Sequence, residues 1–106
     1  MFYKYLFKLA KSGDMIYISH LDLLRLLGRA GRRADLPIAL TEGFNPRLKI
    51  RLKKALKLGV ASDSEEGELV LKNMVDTADI INRLQGELPA GIEVKDVVPS
   101  FKGDRE

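Results

Sequence analysis

No cysteine occurs in the 106-residue sequence. That absence excludes disulfides, thiolate zinc sites, iron–sulfur clusters and a nucleophilic thiol, so any redox chemistry would have to come from a partner. Histidine occurs once, at His20, and a lone imidazole cannot assemble a metal site by itself. Neither a metal nor a cofactor is expected. Apolar runs extend only a few residues, and the opening Met1-Phe2-Tyr3-Lys4-Tyr5 alternates instead of forming a leader-peptide core. Neither a signal peptide nor a membrane span is therefore expected, and the cytoplasm is the expected location. Amide side chains are also scarce, limited to Asn45, Asn73, Asn82 and Gln85, a bias toward thermophile composition. A chain of this length fits one domain with a modest core and leaves no room for a second. Residues 1–106 are read as a single α+β unit.

Charge is plentiful and unevenly placed. The chain carries +3 overall, yet residues 23–57 hold ten Lys or Arg against Asp35 and Glu42 alone, a net +8, while residues 58–106 are net −6. A basic half of this kind attracts polyanions. Unevenly spread surface ion pairs would give a similar pattern.

Periodicity supplies the elements. Tyr3, Tyr5, Phe7 and Leu9 alternate with Lys4, Leu6 and Lys8, predicting a strand over residues 2–10 with one buried face. A turn follows at Lys11-Ser12-Gly13-Asp14. Ser19 with Asp22 three residues on resembles a capping box that opens a helix running to about Ala34. On that helix His20, Leu23, Leu24, Leu27, Ala30, Gly31 and Ala34 share one face, and Asp22, Arg25, Arg29, Arg32 and Arg33 share the opposite one. Gly28 and Gly31 weaken a helix intrinsically, which implies close approach of a neighbouring element. Leu36-Pro37 ends the helix, Ile38-Ala39-Leu40 is extended, and Glu42-Gly43-Phe44-Asn45-Pro46 reads as a shaped turn. Leu48, Ile50 and Leu52 then alternate with Arg47, Lys49, Arg51 and Lys53, predicting a strand with a wholly cationic face. Residues 58–67 read as a loop, Leu69 and Leu71 as a third strand, and residues 76–88 as a helix with Ala78, Ile81, Leu84 and Leu88 inward. Ile92, Val94 and Val97 mark a last strand.

The order β-α-β-β-α-β favours a ferredoxin-like split βαβ, an antiparallel sheet with both helices on one face. The other face is then open, carrying Lys4, Lys8, Lys49, Arg51, Lys53 and Lys72, with Glu68, Glu93 and Lys95 toward the edges.

Several stretches together resemble one family. Ser19-His20-Leu21-Asp22, Arg32-Arg33-Ala34 before Leu36-Pro37, Gly43-Phe44-Asn45-Pro46, Leu58-Gly59-Val60, and Ser62 before Glu65 are similar to the radical S-adenosylmethionine-linked domain, a bacterial family of unknown function. The likeness runs from about Lys8 to Ser100. Arg47 stands where that family commonly has His, and the chain stops at Pro99-Ser100-Phe101 where relatives continue. The resemblance thus implies the N-terminal half of a longer family domain. It also implies a helper role, as an extension or neighbour of a radical S-adenosylmethionine protein that modifies RNA or a ribosomal component. The radical chemistry itself needs a cluster held by three closely spaced cysteines, which this chain lacks.

Three candidate sites emerge. An all-arginine stripe (Arg25, Arg29, Arg32, Arg33) is either an ordinary solvated helix face or a phosphate-binding surface, since guanidinium forks bind phosphate bidentately at low desolvation cost. The cationic strand Arg47, Lys49, Arg51 and Lys53 either extends that RNA-binding surface or guards a sheet edge against aggregation. The motif residues Ser19, His20, Asp22, Phe44, Asn45, Ser62 and Glu65 form the third set, with His20, Ser62 and Glu65 expected to line a small polar pocket. Ser19 and Asp22 also serve as a helix cap, and an exposed Phe44 would point to partner docking. Tyr3, Tyr5 and Phe7 share the core face, so the open face lacks the aromatic pair of RNA-recognition sheets. No catalytic constellation is evident, and the chain is not read as an enzyme. The leading expectation is an RNA-binding or adaptor module. The alternatives are a docking domain for a radical S-adenosylmethionine enzyme and half of an enzyme using His20 as acid or base.

Overall fold

Tyr5, Phe7, Leu9 and Lys11 are the buried positions of the first strand, β1 (Tyr3–Lys11), in a computed structural model that describes residues 2–100. Phe101, named with Pro99 and Ser100 above, lies outside them. A short 3-10 helix (Gly13–Tyr17) leads into α1 (His20–Arg33); then follow β2 (Ile50–Leu52), β3 (Ser62–Leu71), α2 (Thr77–Gln85) and β4 (Ile92–Pro99). The sheet order is β2-β3-β1-β4, and β1 pairs antiparallel with β3 and β4, as β2 does with β3. Leu23, Leu27 and Ala30 of α1 and Ile80 and Leu84 of α2 join Tyr5, Phe7, Leu9, Leu69, Leu71 and Ile92 in one core, so both helices cover the same sheet face. This is the ferredoxin-like α+β arrangement that the element order implies. No helix of the described residues is long and apolar enough to cross a membrane.

Ser19 caps α1 by accepting from the Asp22 N–H at 3.1 Å. The capping box is only half made, however, because Asp22 turns its carboxylate to Arg25 at 3.4 Å and makes no return bond among the described residues. At the other end Asp35 adopts a left-handed φ of 59°, with Asp35 N–H on the Arg32 carbonyl (3.0 Å) and Leu36 N–H on that of Gly31 (3.0 Å). These are the paired bonds of a Schellman motif, and they aim the chain at Pro37 and away from the helix axis. The two helical glycines do mark close approach: a Cβ at Gly28 would stand 3.1 Å from the Leu48 side chain, and one at Gly31 would collide with Ile38.

Several expectations need correction. Lys11 belongs to β1 and not to the turn after it. β3 starts at Ser62, inside the stretch read as a loop, because Leu9 pairs with Glu65 and Phe7 with Gly67. β2 is only three residues long, since Ile38 and Leu40 intervene at that edge, bridging Leu71 and Leu48. Of the inward positions read on the second helix, Leu84 is buried and Ile81 and Leu88 pack half-buried against the core, whereas Ala78 is exposed; Ile80, not among them, is the most deeply buried residue of α2. Val97 is buried out of phase with Ile92 and Val94, and a register shift explains it: Leu9 opposes Val94 and Lys8 opposes Asp96, leaving Lys95 as an extra residue.

Two polar side chains lock the layers. The Tyr5 hydroxyl donates to the Val75 carbonyl (2.8 Å) and accepts from the Val75 N–H (3.0 Å), tying β1 to the connection before α2. Tyr5→Phe is expected to cost about 1–3 kcal/mol, because both Val75 groups lose their partner in a part-buried site; the shift of the urea unfolding midpoint measures it. Gln85 similarly bonds Ile92 and Val94, holding α2 on β4.

Candidate functional site

The charged residues sort onto two surfaces once the register is known. On the open sheet face Glu68 stands between Lys4 (3.6 Å) and Arg51 (3.3 Å), and Glu66 lies 3.6 Å from Lys53. Lys49 places its ammonium 4.8 Å from the centre of the Phe2 ring. The cationic side of the 47–53 stretch is thus offset in part by β3, which begins earlier than its apolar residues suggest and brings Glu68 and Glu66 beside Arg51 and Lys53. Glu68 is central, not toward an edge. Burial pushes its carboxyl up, but the Arg51 hydrogen bond and the Lys4 and Arg51 charges outweigh this and hold it below the ordinary carboxylate range.

The sign of the pH dependence follows. A carboxylate with a depressed folded value stabilises the fold above its unfolded value, and the contribution disappears as pH falls through the folded value. Unfolding free energy measured from neutrality into acid should therefore lose a component of about 1 kcal/mol, and Glu68→Gln should remove that component without altering the rest of the profile.

The helix arginines have a different setting. Arg25, Arg29 and Arg32 of α1, with Arg47 from the segment before β2, line a groove of about 650 Å³ whose floor is Leu21, Leu24, Gly28, Leu48 and Ile50. The groove exists because Gly28 lets Leu48 approach the helix while the sheet ends at the short strand β2. Arg25 is engaged with Asp22, both well exposed. Arg29, Arg32 and Arg47 have no ion pair among the described residues. Arg33 is exposed on the same helix but does not line the groove. Arg47 is fixed at its backbone: its N–H donates to the Thr41 hydroxyl (3.0 Å) and its carbonyl accepts from Thr41 N–H (2.8 Å). These bonds close the neck of a loop that carries Phe44, whose relative exposure is 102%, and the exposed Asn45 at its tip.

The motif residues His20, Ser62 and Glu65 make separate contacts. His20 is half-buried and its Nδ1 accepts from the Leu56 N–H at 3.3 Å. Ser62 bonds the Ser64 N–H within its own strand, and Glu65 lies opposite Leu9. Among the described residues no hydrogen bond or ion pair joins His20 to either. The imidazole meets Leu56 because Lys53 pairs with Glu66 and the chain leaves β2 toward the start of α1. Sequence reasoning also missed Lys11, only 2% exposed, whose ammonium donates to the Ile16 carbonyl (3.3 Å) and to that of Lys57. Its place as the alternate residue after Leu9 was the available signal. The groove floor was legible only in part, through Gly28.

No curated protein matches the chain. A family model does, over residues 4–105, and its description is that of an uncharacterized protein conserved in bacteria. The match takes in every strand and helix except the first residue of β1, and so covers α1, the Thr41–Arg47 loop and the groove between them. The chain belongs to this uncharacterised bacterial family, DUF2344.

Proposed function

We propose that this protein is a non-catalytic module that holds RNA, or the RNA of a ribonucleoprotein, in the arginine-lined groove. Its setting is a radical S-adenosylmethionine system that modifies RNA or the ribosome, as the sequence resemblance implies. One observation carries the reading: Arg29, Arg32 and Arg47 converge on a concave surface without counter-ions among the described residues. Guanidinium groups left in that state are electrostatically unsatisfied and geometrically suited to phosphate oxygens. The sheet face supports the same choice by contrast, since its Lys4, Arg51 and Lys53 already have carboxylate neighbours. Catalysis through His20 is less well supported, because Nδ1 is committed to the Leu56 backbone.

The test is the salt dependence of RNA binding. Neutralising a phosphate contact weakens binding and flattens the dependence of affinity on salt. Substitution of Arg29, Arg32 and Arg47 by Ala should do both, whereas Arg51→Ala and Lys53→Ala should do neither. Absence of binding at low salt would remove the proposal.

A further inference from the structure

We propose that the groove receives a single strand and not a duplex, and that Phe44 forms the stacking platform for one of its bases; this rests on the RNA reading above. Three observations point the same way. The first is length. Arg25, Arg29 and Arg32 climb successive turns of α1, and at 1.5 Å per residue the ladder is only about 10 Å long. Duplex-reading domains span about 16 base pairs, and Arg51 and Lys53 of the basic strand on the open sheet face already stand beside carboxylates.

The second is the floor. Leu21, Leu24, Leu48 and Ile50 make an apolar surface beneath the guanidiniums, and Leu21 is 55% exposed. A duplex hides its base faces and offers such a floor nothing but sugar and phosphate. A single strand offers phosphates to the arginines and unstacked base faces to the leucines, the pairing of charge and π-surface that single-strand grooves use.

The third is Phe44 itself. The ring is fully exposed, three residues before Arg47, on a loop whose neck the Thr41–Arg47 bonds hold closed. Its neighbours Glu42, Gly43, Asn45 and Pro46 are all exposed, and none of them adds an apolar side chain apart from the proline ring. A protein hot spot sits at the centre of a packed, water-excluding patch. An isolated ring on the same short loop as an arginine without an ion pair among the described residues instead suits a single planar group attached to a phosphate, which is a nucleotide. On the sheet Tyr5 and Phe7 are buried, and the exposed Phe2 ring already has the Lys49 ammonium 4.8 Å from its centre.

The experiment is fluorescence anisotropy with a labelled adenine-rich RNA of about 12 nucleotides, within the range of single-strand site sizes. The same RNA is also measured annealed to its complement, and as an abasic strand. The expected result is binding of the single strand about 10-fold tighter than either the duplex or the abasic strand. Phe44→Ala should weaken the single strand about 10-fold, as loss of one stacked base does, with no change in salt slope, and Phe44→Trp should retain the affinity. Full exposure of the ring means that neither variant disturbs folding. Equal binding of duplex or abasic RNA, or an unchanged affinity for Phe44→Ala, overturns the inference and leaves the groove reading standing; an inert Phe44 would then belong to a protein partner. Failure of all three RNAs to bind overturns both.

Discussion

Gly67→Ala is expected to lower the unfolding free energy by about 3 kcal/mol, the upper range for forced overpacking of a core. Domain stabilities lie at only about 5–15 kcal/mol, so this is a large share of the total. The cause is local. In β3, Gly67 lies between Phe7 of β1 and Leu52 of β2, and an added Cβ would collide both with the Phe7 ring and with the Arg51 carbonyl oxygen. The ring can rotate away only by leaving the core, and the carbonyl can retreat only by displacing β2, which has three residues to hold it. Thermal and urea unfolding of Gly67→Ala, Phe7→Leu and the double variant separate these contributions. The double variant should be more stable than the sum of the single changes predicts, since the smaller Leu vacates part of the space the new methyl needs. A Gly67→Ala protein as stable as the parent would refute the pairing of Phe7 with Gly67.

Reversing two charges in the groove should have the largest effect on binding. Arg29→Glu combined with Arg32→Glu removes two phosphate contacts and substitutes repulsion, and a loss of RNA affinity of at least about 100-fold at low salt is expected. With about three contacts in the parent, log affinity should fall with log salt at a slope near −2, at about 0.7 per phosphate on a single strand. The double reversal should bring that slope close to zero. Both positions are exposed on α1, so circular dichroism should show the helix intact. Arg51→Glu is the wrong control, because it would set a second carboxylate beside Glu68. Arg51→Ala is the right one, and its slope should match the parent's. A parent-like slope in the reversed variant would dissociate RNA binding from the groove.

The elements that one period controls were legible. Alternation from Tyr3 to Leu9 and the two-faced pattern of α1 each report burial directly, and Gly28 and Gly31 report a close neighbour because no other role suits glycine in mid-helix. What escaped notice depends on partners distant in the chain. Ser62 to Glu66 contain no apolar residue, so nothing local distinguishes strand from loop; they are extended because β1 supplies the hydrogen bonds. That hidden half of β3 puts Glu66 on the open face beside Lys53, a neighbour that no local pattern revealed. Val97 escaped the simple alternation for the same kind of reason, since a bulge opposite Lys8 changes the phase midway. Lys11 looked like turn chemistry, although the 3-10 helix and the loop after β2 turn two carbonyls toward it. Arg29 and Arg32 were identified from composition. Their concavity with Arg47 was not, because it arises from where Leu48 meets the helix.

The sheet order also bears on how the protein is made. β1, the central strand, has β3 on one side and β4 on the other, with Tyr5 opposite both Leu69 and Pro99. While a ribosome is still translating the residues of β4, β1 retains an open flank of unpaired backbone groups. The nascent chain therefore cannot close its sheet until Pro99 has cleared the exit tunnel, and topologies that await such distant pairings fold slowly. During that interval the segment from Tyr3 to Leu9 is the stretch that chaperones would be expected to bind.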